Sequence, residues 1–237
     1  MTCAILLTAL VPVAILIFYI YRRDKSSPEP VKLLLKAFGF GVVSVFVWFV
    51  ISKPLGALGF FPDNPTTILG SICTSFFGAA IPEEIAKLVM LWLVLRKNPY
   101  FDEKMDGIVY AVCISLGFAA FENVSYLFVY SEDFWSVGIV RAIFSVPGHF
   151  CFGVLMGYYY SLAKFYPQSP KRNKTLVLLA PIVVHGLFDS ILFISDATPA
   201  ISGILSIVFV YFCYKMWKYC SRSIEEHLQR DGIYSIK

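Results

Sequence analysis

GIVYAVCISLGFAAFENVSYLFVY, from Gly107 to Tyr130, holds one charged side chain, Glu122, in a stretch longer than the roughly 20 apolar residues that cross a bilayer as a helix. Comparable runs lie on both sides of it: Thr2–Tyr21, Ala37–Ser52, Thr66–Leu95, Phe134–Ala163, Thr175–Ser195 and Ala200–Tyr214. The expectation is an all-α, polytopic transmembrane bundle of about seven helices, with six to eight compatible with the run lengths. The second run is short unless it extends back over Leu33–Leu35, and Leu55–Phe61 is a candidate re-entrant segment. One transmembrane domain over residues 1–219 is expected, followed by a short cytoplasmic tail, 220–237.

Composition agrees with this reading. The chain is 58% apolar, 17% aromatic and 15% charged, whereas a soluble domain is roughly 45–50% apolar and about 25% charged. Its net charge of +4 has no soluble basic face to occupy, so nucleic acid is not an expected partner. No basic segment and no A-x-A-like site precede Arg22, which disfavours a cleaved signal peptide.

The basic residues test the topology, because Lys and Arg concentrate in cytoplasmic loops. Seventeen of the 20 fall in alternate segments: Arg22, Arg23, Lys25, Lys32 and Lys36; Arg96, Lys97 and Lys104; Lys164, Lys171, Arg172 and Lys174; and Lys215, Lys218, Arg222, Arg230 and Lys237. The intervening loops hold only Lys53. This parity predicts an outward N-terminus and a cytoplasmic C-terminus. Cys3, Cys73, Cys113, Cys151, Cys213 and Cys220 contain no CxxC pair, so neither a disulfide framework nor a zinc ribbon is expected. Gly153-xxx-Gly157 allows close helix contact.

Eight ionisable groups fall inside the apolar runs: Glu83, Glu84, Lys87, Glu122, Arg141, His149, His185 and Asp189. Each costs about 2.5–3.5 kcal/mol on insertion scales, so retained groups mark function and face the bundle interior. Counted at about 1.5 Å per residue from the cytoplasmic helix ends, Glu83, Glu122, His149 and His185 all lie ~15–22 Å deep. Glu83 and Lys87 share a helix face, as do His185 and Asp189. Four carboxylates against Lys87 and Arg141 leave a charge of −2, which desolvation makes expensive. A protonated carboxyl, a protonated histidine or a bound divalent cation would relieve it. Arg141 could instead pair with Asp189 or extend outward.

Hydrolysis needs a base for water, an oxyanion donor and an acid for the leaving group. Glu83 or Glu84 suits the first role, Asn123 with a histidine the second, and His149 or His185 the third. No GxSxG serine competes, and Cys151 points to a different helix face from His149. Catalytic zinc takes three His or carboxylate ligands, and His149, His185, Glu83 and Glu122 are candidates, although H-E-x-x-H is absent. Zinc is therefore a possible cofactor.

Ile81-Pro-Glu-Glu-Ile-Ala-Lys87, Phe121-Glu-Asn123, Arg141 with Pro147-Gly-His149, and His185-Gly-Leu-Phe-Asp189 together resemble the PrsW family of intramembrane proteases. That family sits in a clan with the CAAX prenyl endopeptidases and bacteriocin-processing proteins. The family-like core covers about residues 66–195. The resemblance implies Glu83 and Glu84 as the water-activating pair, His149 and His185 as further site members, Glu122 and Asn123 as the second motif, and Asp189 as the end of the last. Lys87 replaces the arginine usual in the wider clan, in keeping with the PrsW branch. The implied substrates are single-pass membrane-anchored proteins such as anti-sigma factors, cut in or near the bilayer of the cell membrane.

Two other classes accommodate buried acids and histidines. A proton-coupled transporter predicts inverted repeats, and none is evident. A non-catalytic scaffold or immunity protein, as in the related Aph-type subunits, predicts that the polar groups are replaceable.

Overall fold

The computed structural model describes residues 1–24, 27–166, 168 and 170–232; Lys25 and Lys237 of the basic count lie outside them. The described residues form seven helical rods. They are α1 (Thr2–Arg23), α2 (Val31–Ala57), α3 (Ile68–Cys73) running into α4 (Ile81–Leu95), α5 (Lys104–Val129), α6 (Phe134–Val140) running into α7 (Val146–Phe165), α8 (Pro170–Ala197) and α9 (Ser202–Arg230). Six of these rods are long and apolar enough to cross a membrane. The α3–α4 rod is of similar length and carries Glu83, Glu84 and Lys87.

Both composite rods are joined by a π-helical stretch, Thr74–Ala80 before α4 and Arg141–Ser145 before α7. Each stretch is followed at once by a proline, Pro82 or Pro147, in the first turn of the next helix. Proline lacks an N–H, so an i−4 carbonyl loses its donor. For Pro82 that carbonyl belongs to Gly78, and α2 supplies replacements: Trp48 Nε1 donates to it at 3.1 Å and Ser52 Oγ at 3.2 Å. The interruption is thereby satisfied inside the bundle, where water is scarce.

α2 extends past the Ala37–Ser52 run at both ends and includes Leu33–Leu35. Leu55–Phe61 is not re-entrant. It finishes α2 and turns, with Gly59 at φ 77° and bonds from Gly59 N to Gly56 O and from Phe60 N to Leu55 O closing the helix. Residues 220–230 of the segment expected as a tail are helical, continuing α9 for about three turns. Its Cys220, Ser223, Ile224, His227 and Leu228 are buried, and their spacing of three or four makes one packed face. Past its end, Asp231 accepts from the backbone N–H groups of Lys104 (3.1 Å) and Met105 (2.9 Å), capping α5.

α5 is the central helix, buried along most of its length and packed on α7, α2 and α1. α8 packs on α7 and on the α3–α4 rod. The outward faces carry exposed Phe46, Val50, Phe18, Ile204 and Ile207, the surface expected where lipid is the solvent. All six cysteines are free, and Cys220 is buried against the Cys151 carbonyl.

The α5–α7 contact is close because Gly153 and Gly157 have no side chain. A Cβ at Gly157 would overlap the Gly107 carbonyl, and one at Gly153 would stand 2.9 Å from Val112 Cα. Gly157→Ala is therefore expected to cost about 1–3 kcal/mol, read as a lower melting temperature in detergent. Gly203→Ala, where a Cβ meets nothing within 4 Å, should leave melting unchanged.

Candidate active site

The residues singled out in the sequence converge where α4, α5, α7 and α8 meet. The first turns of α4 present Glu83, Glu84 and Lys87, and Lys87 Nζ lies 3.2 Å from Glu83 Oε2 and 2.8 Å from Glu84 Oε1. The same ammonium is 3.1 Å from His149 Nδ1 on α7 and 4.5 Å from the centre of the Phe118 ring on α5. His149 Nε2 reaches Glu122 Oε2 at 3.0 Å. Glu122 also receives Arg141 at 2.7 Å, and Arg141 Nε donates to Asn123 Oδ1 at 2.6 Å. On α8, His185 Nδ1 is 2.8 Å from Glu84 Oε1, and its Nε2 is 3.3 Å from Asp189 Oδ2 and 4.0 Å from Glu83 Oε2. All nine side chains form one connected network.

Donor and acceptor chemistry assigns the protons. An ammonium only donates, so His149 Nδ1 accepts from Lys87 and its Nε2–H donates to Glu122. His185 lies between two carboxylates, which only accept, so both its nitrogens donate when those acids are ionised. An imidazolium at His185 reduces the interior charge from −2 to −1. One buried oxygen, Glu84 Oε2, has no partner.

Several expectations change in detail. Arg141 pairs with Glu122 and Asn123 instead of Asp189, and its guanidinium stands 4.0 Å above the Tyr126 ring. Both ends of the Asn123 amide are occupied, since Nδ2 donates to the Ala9 carbonyl at 2.9 Å. The expected metal set of His149, His185, Glu83 and Glu122 is not what the fold assembles: donor atoms of Glu83, Glu84 and His185 lie within 4.8 Å of one another, while His149 and Glu122 bond to each other. Carboxylates with an imidazole and an orphaned buried oxygen suit a divalent cation such as zinc.

Sequence reading missed the aromatic walls. Phe152 stacks on His185 with ring centres 4.4 Å apart, and Phe118 lies under Lys87. The signal was present, because Phe118, Glu122 and Tyr126 are four apart on α5 and Phe152 is three after His149.

Comparison with known proteins gives the family. The family model for PrsW family intramembrane metalloproteases matches residues 29–216. Protease PrsW of Clostridioides difficile is 36% identical over 89% of this chain and 87% of its own length. Those of Oceanobacillus iheyensis and Bacillus subtilis are each 34% identical over 80% of this chain and 83% of theirs. No solved structure matches. Membership decides between protease, transporter and scaffold: the chain belongs to the PrsW family of intramembrane metalloproteases and is a multi-pass membrane protease.

Proposed function

We propose that the protein hydrolyses a peptide bond of a single-pass membrane protein, of the anti-sigma-factor type the family resemblance implies, with Glu83 activating the attacking water. The observation that carries this reading is the meeting of Glu83, Glu84 and His185 in the bundle interior. Glu84 is 0% exposed and committed to both Lys87 and His185. Glu83 is bonded to Lys87 alone and stands 4.0 Å from His185, so it is the freer base.

The remaining roles follow from position. Lys87 holds the two glutamates and orients His149. Arg141, partly exposed beside Glu122, is the donor placed to receive a developing oxyanion. His185, carrying a proton between Glu84 and Asp189, is the acid for the leaving amine. A cation held by Glu83, Glu84 and a neutral His185, ligating through Nδ1 with its Nε2–H kept on Asp189, would polarise the scissile carbonyl and lower the pKa of bound water, and the leaving amine would then take its proton from Glu83 after Glu83 has taken it from water. The alternating basic loops support an outward N-terminus and a cytoplasmic C-terminus.

Reconstituted protein with a single-pass substrate tests the assignment. Glu83→Gln, Glu84→Gln and His185→Ala should each lower kcat/KM about 100-fold or more; undiminished cleavage by all three sinks it. Chelation is expected to abolish cleavage and added zinc to restore it, and full activity after exhaustive chelation would remove the metal from the reading.

A further inference from the structure

A second group of acids meets at the other end of α5. Asp24 follows α1, Glu29 lies in the connection to α2, Glu103 is the N-cap of α5 and Asp106 stands in its first turn. At about 1.5 Å per residue, Asp106 is ~24 Å along the helix from Glu122, so this group is separate from the catalytic layer. One carboxylate oxygen each from Asp24, Glu103 and Asp106 lies within 4.8 Å of the other two.

Capping explains part of this cluster. Asp106 Oδ2 accepts from the backbone N–H groups of Asp102 (3.0 Å) and Glu103 (2.7 Å), and the Glu103 side chain caps in return. It does not explain the rest. Asp106 Oδ1 and Glu103 Oε2 are buried without a partner, and Asp24, 0% exposed, has neither oxygen bonded. Asp24 is the C-cap residue of α1, where the helix leaves orphan carbonyls and no N–H groups, so the helix end gives its carboxylate no donor.

The nearby cations make their closest polar contacts elsewhere. Lys104 pairs with Asp231 at 2.8 Å, Lys164 donates to the Phe101 carbonyl, and Arg23 faces Glu225 at 3.6 Å. Among the described residues no Lys or Arg is ion-paired with Asp24, Glu103 or Asp106. Burial, with the charges of Glu29 and Glu103 beside it, pushes the Asp24 carboxyl up to about 7. Buried anions without donors cost several kcal/mol each unless a positive charge compensates.

We propose that Asp24, Glu103 and Asp106 form a second cation site, which takes a hard divalent ion, Mg²⁺ or Ca²⁺, and fastens the α1–α2 connection to the start of α5. The donor set is all oxygen and anionic, the chemistry such ions select. Four unpartnered buried oxygens on three side chains, from two separate chain segments, supply an incomplete shell that water completes. Glu29, held by the Tyr110 hydroxyl, adds negative potential beside it.

The full-length protein in detergent, with Glu83→Gln, Glu84→Gln and His185→Ala to silence the catalytic donors, is titrated calorimetrically with MgCl₂ and CaCl₂. One of these cations should bind at about one equivalent and raise the melting temperature by roughly 5–10 °C at a hundredfold excess over Kd. Adding Asp24→Asn, which leaves the α5 cap intact, should abolish both signals while the protein still melts cooperatively. In the otherwise wild-type chain, Asp24→Asn should remove one equivalent of bound cation, an independent reading if the triple variant folds poorly. Binding unchanged by Asp24→Asn, or no binding of either cation at millimolar concentration, overturns the site.

Discussion

The interior of this protein depends on one ammonium group. Lys87 Nζ lies 2.8 Å from Glu84, 3.2 Å from Glu83 and 3.1 Å from His149, at 1% exposure. Without it, two adjacent carboxylates would share a helix turn in a medium that hydrates neither, and breaking such a buried set costs about 3–5 kcal/mol. Lys87 also fixes which nitrogen of His149 carries the proton, and so how Glu122 and Arg141 are oriented. The register of α4 against α5, α7 and α8 is tied to this contact, because shifting any of them would leave a buried charge alone.

The fold was legible because lipid imposes a strong length rule, and the site was legible because lipid rejects charge. Seven apolar runs became seven rods, and each acid or histidine found inside them joined one network. Helix ends were less legible. α9 continues as an amphipathic helix to Arg230, and its packed face of Ser223, Ile224, His227 and Leu228 is too polar to extend a hydropathy run. The first π-helical stretch, Thr74–Ala80, is met at Gly78 by Trp48 and Ser52, a tertiary contact that Pro82 alone does not disclose.

Pairing within the site was the hardest part to read. Helical spacing joined Glu83 to Lys87 and His185 to Asp189, but partners on different helices follow from rotation and depth, which spacing does not set. Spacing alone leaves Arg141 between Asp189 and the outer surface, and its partners, Glu122 and Asn123, appear only when α5 and the rod of α6 and α7 are placed together. The acids at Asp24, Glu103 and Asp106 carry no signal in the sequence for the opposite reason. They lie at helix ends in polar connections, where carboxylates usually meet water and caps, and only their burial makes them unusual.

Exposure within the catalytic layer is graded in a way that bears on its chemistry. The side chains of Glu84 and Lys87 are 0% and 1% exposed, whereas Arg141, Asp189 and Glu122 reach 13%, 17% and 24%. The charged pair that sets the field is therefore sealed, and Arg141, Asp189 and Glu122 are the more open members of the network. Hydrolysis inside a bilayer needs this division, since water must be admitted to one face of the site while the dry face keeps electrostatic interactions strong. Glu83, at 5% exposure between Lys87 and His185, lies on the dry side with them, so water must reach the base we propose from the side of Asp189 and Glu122.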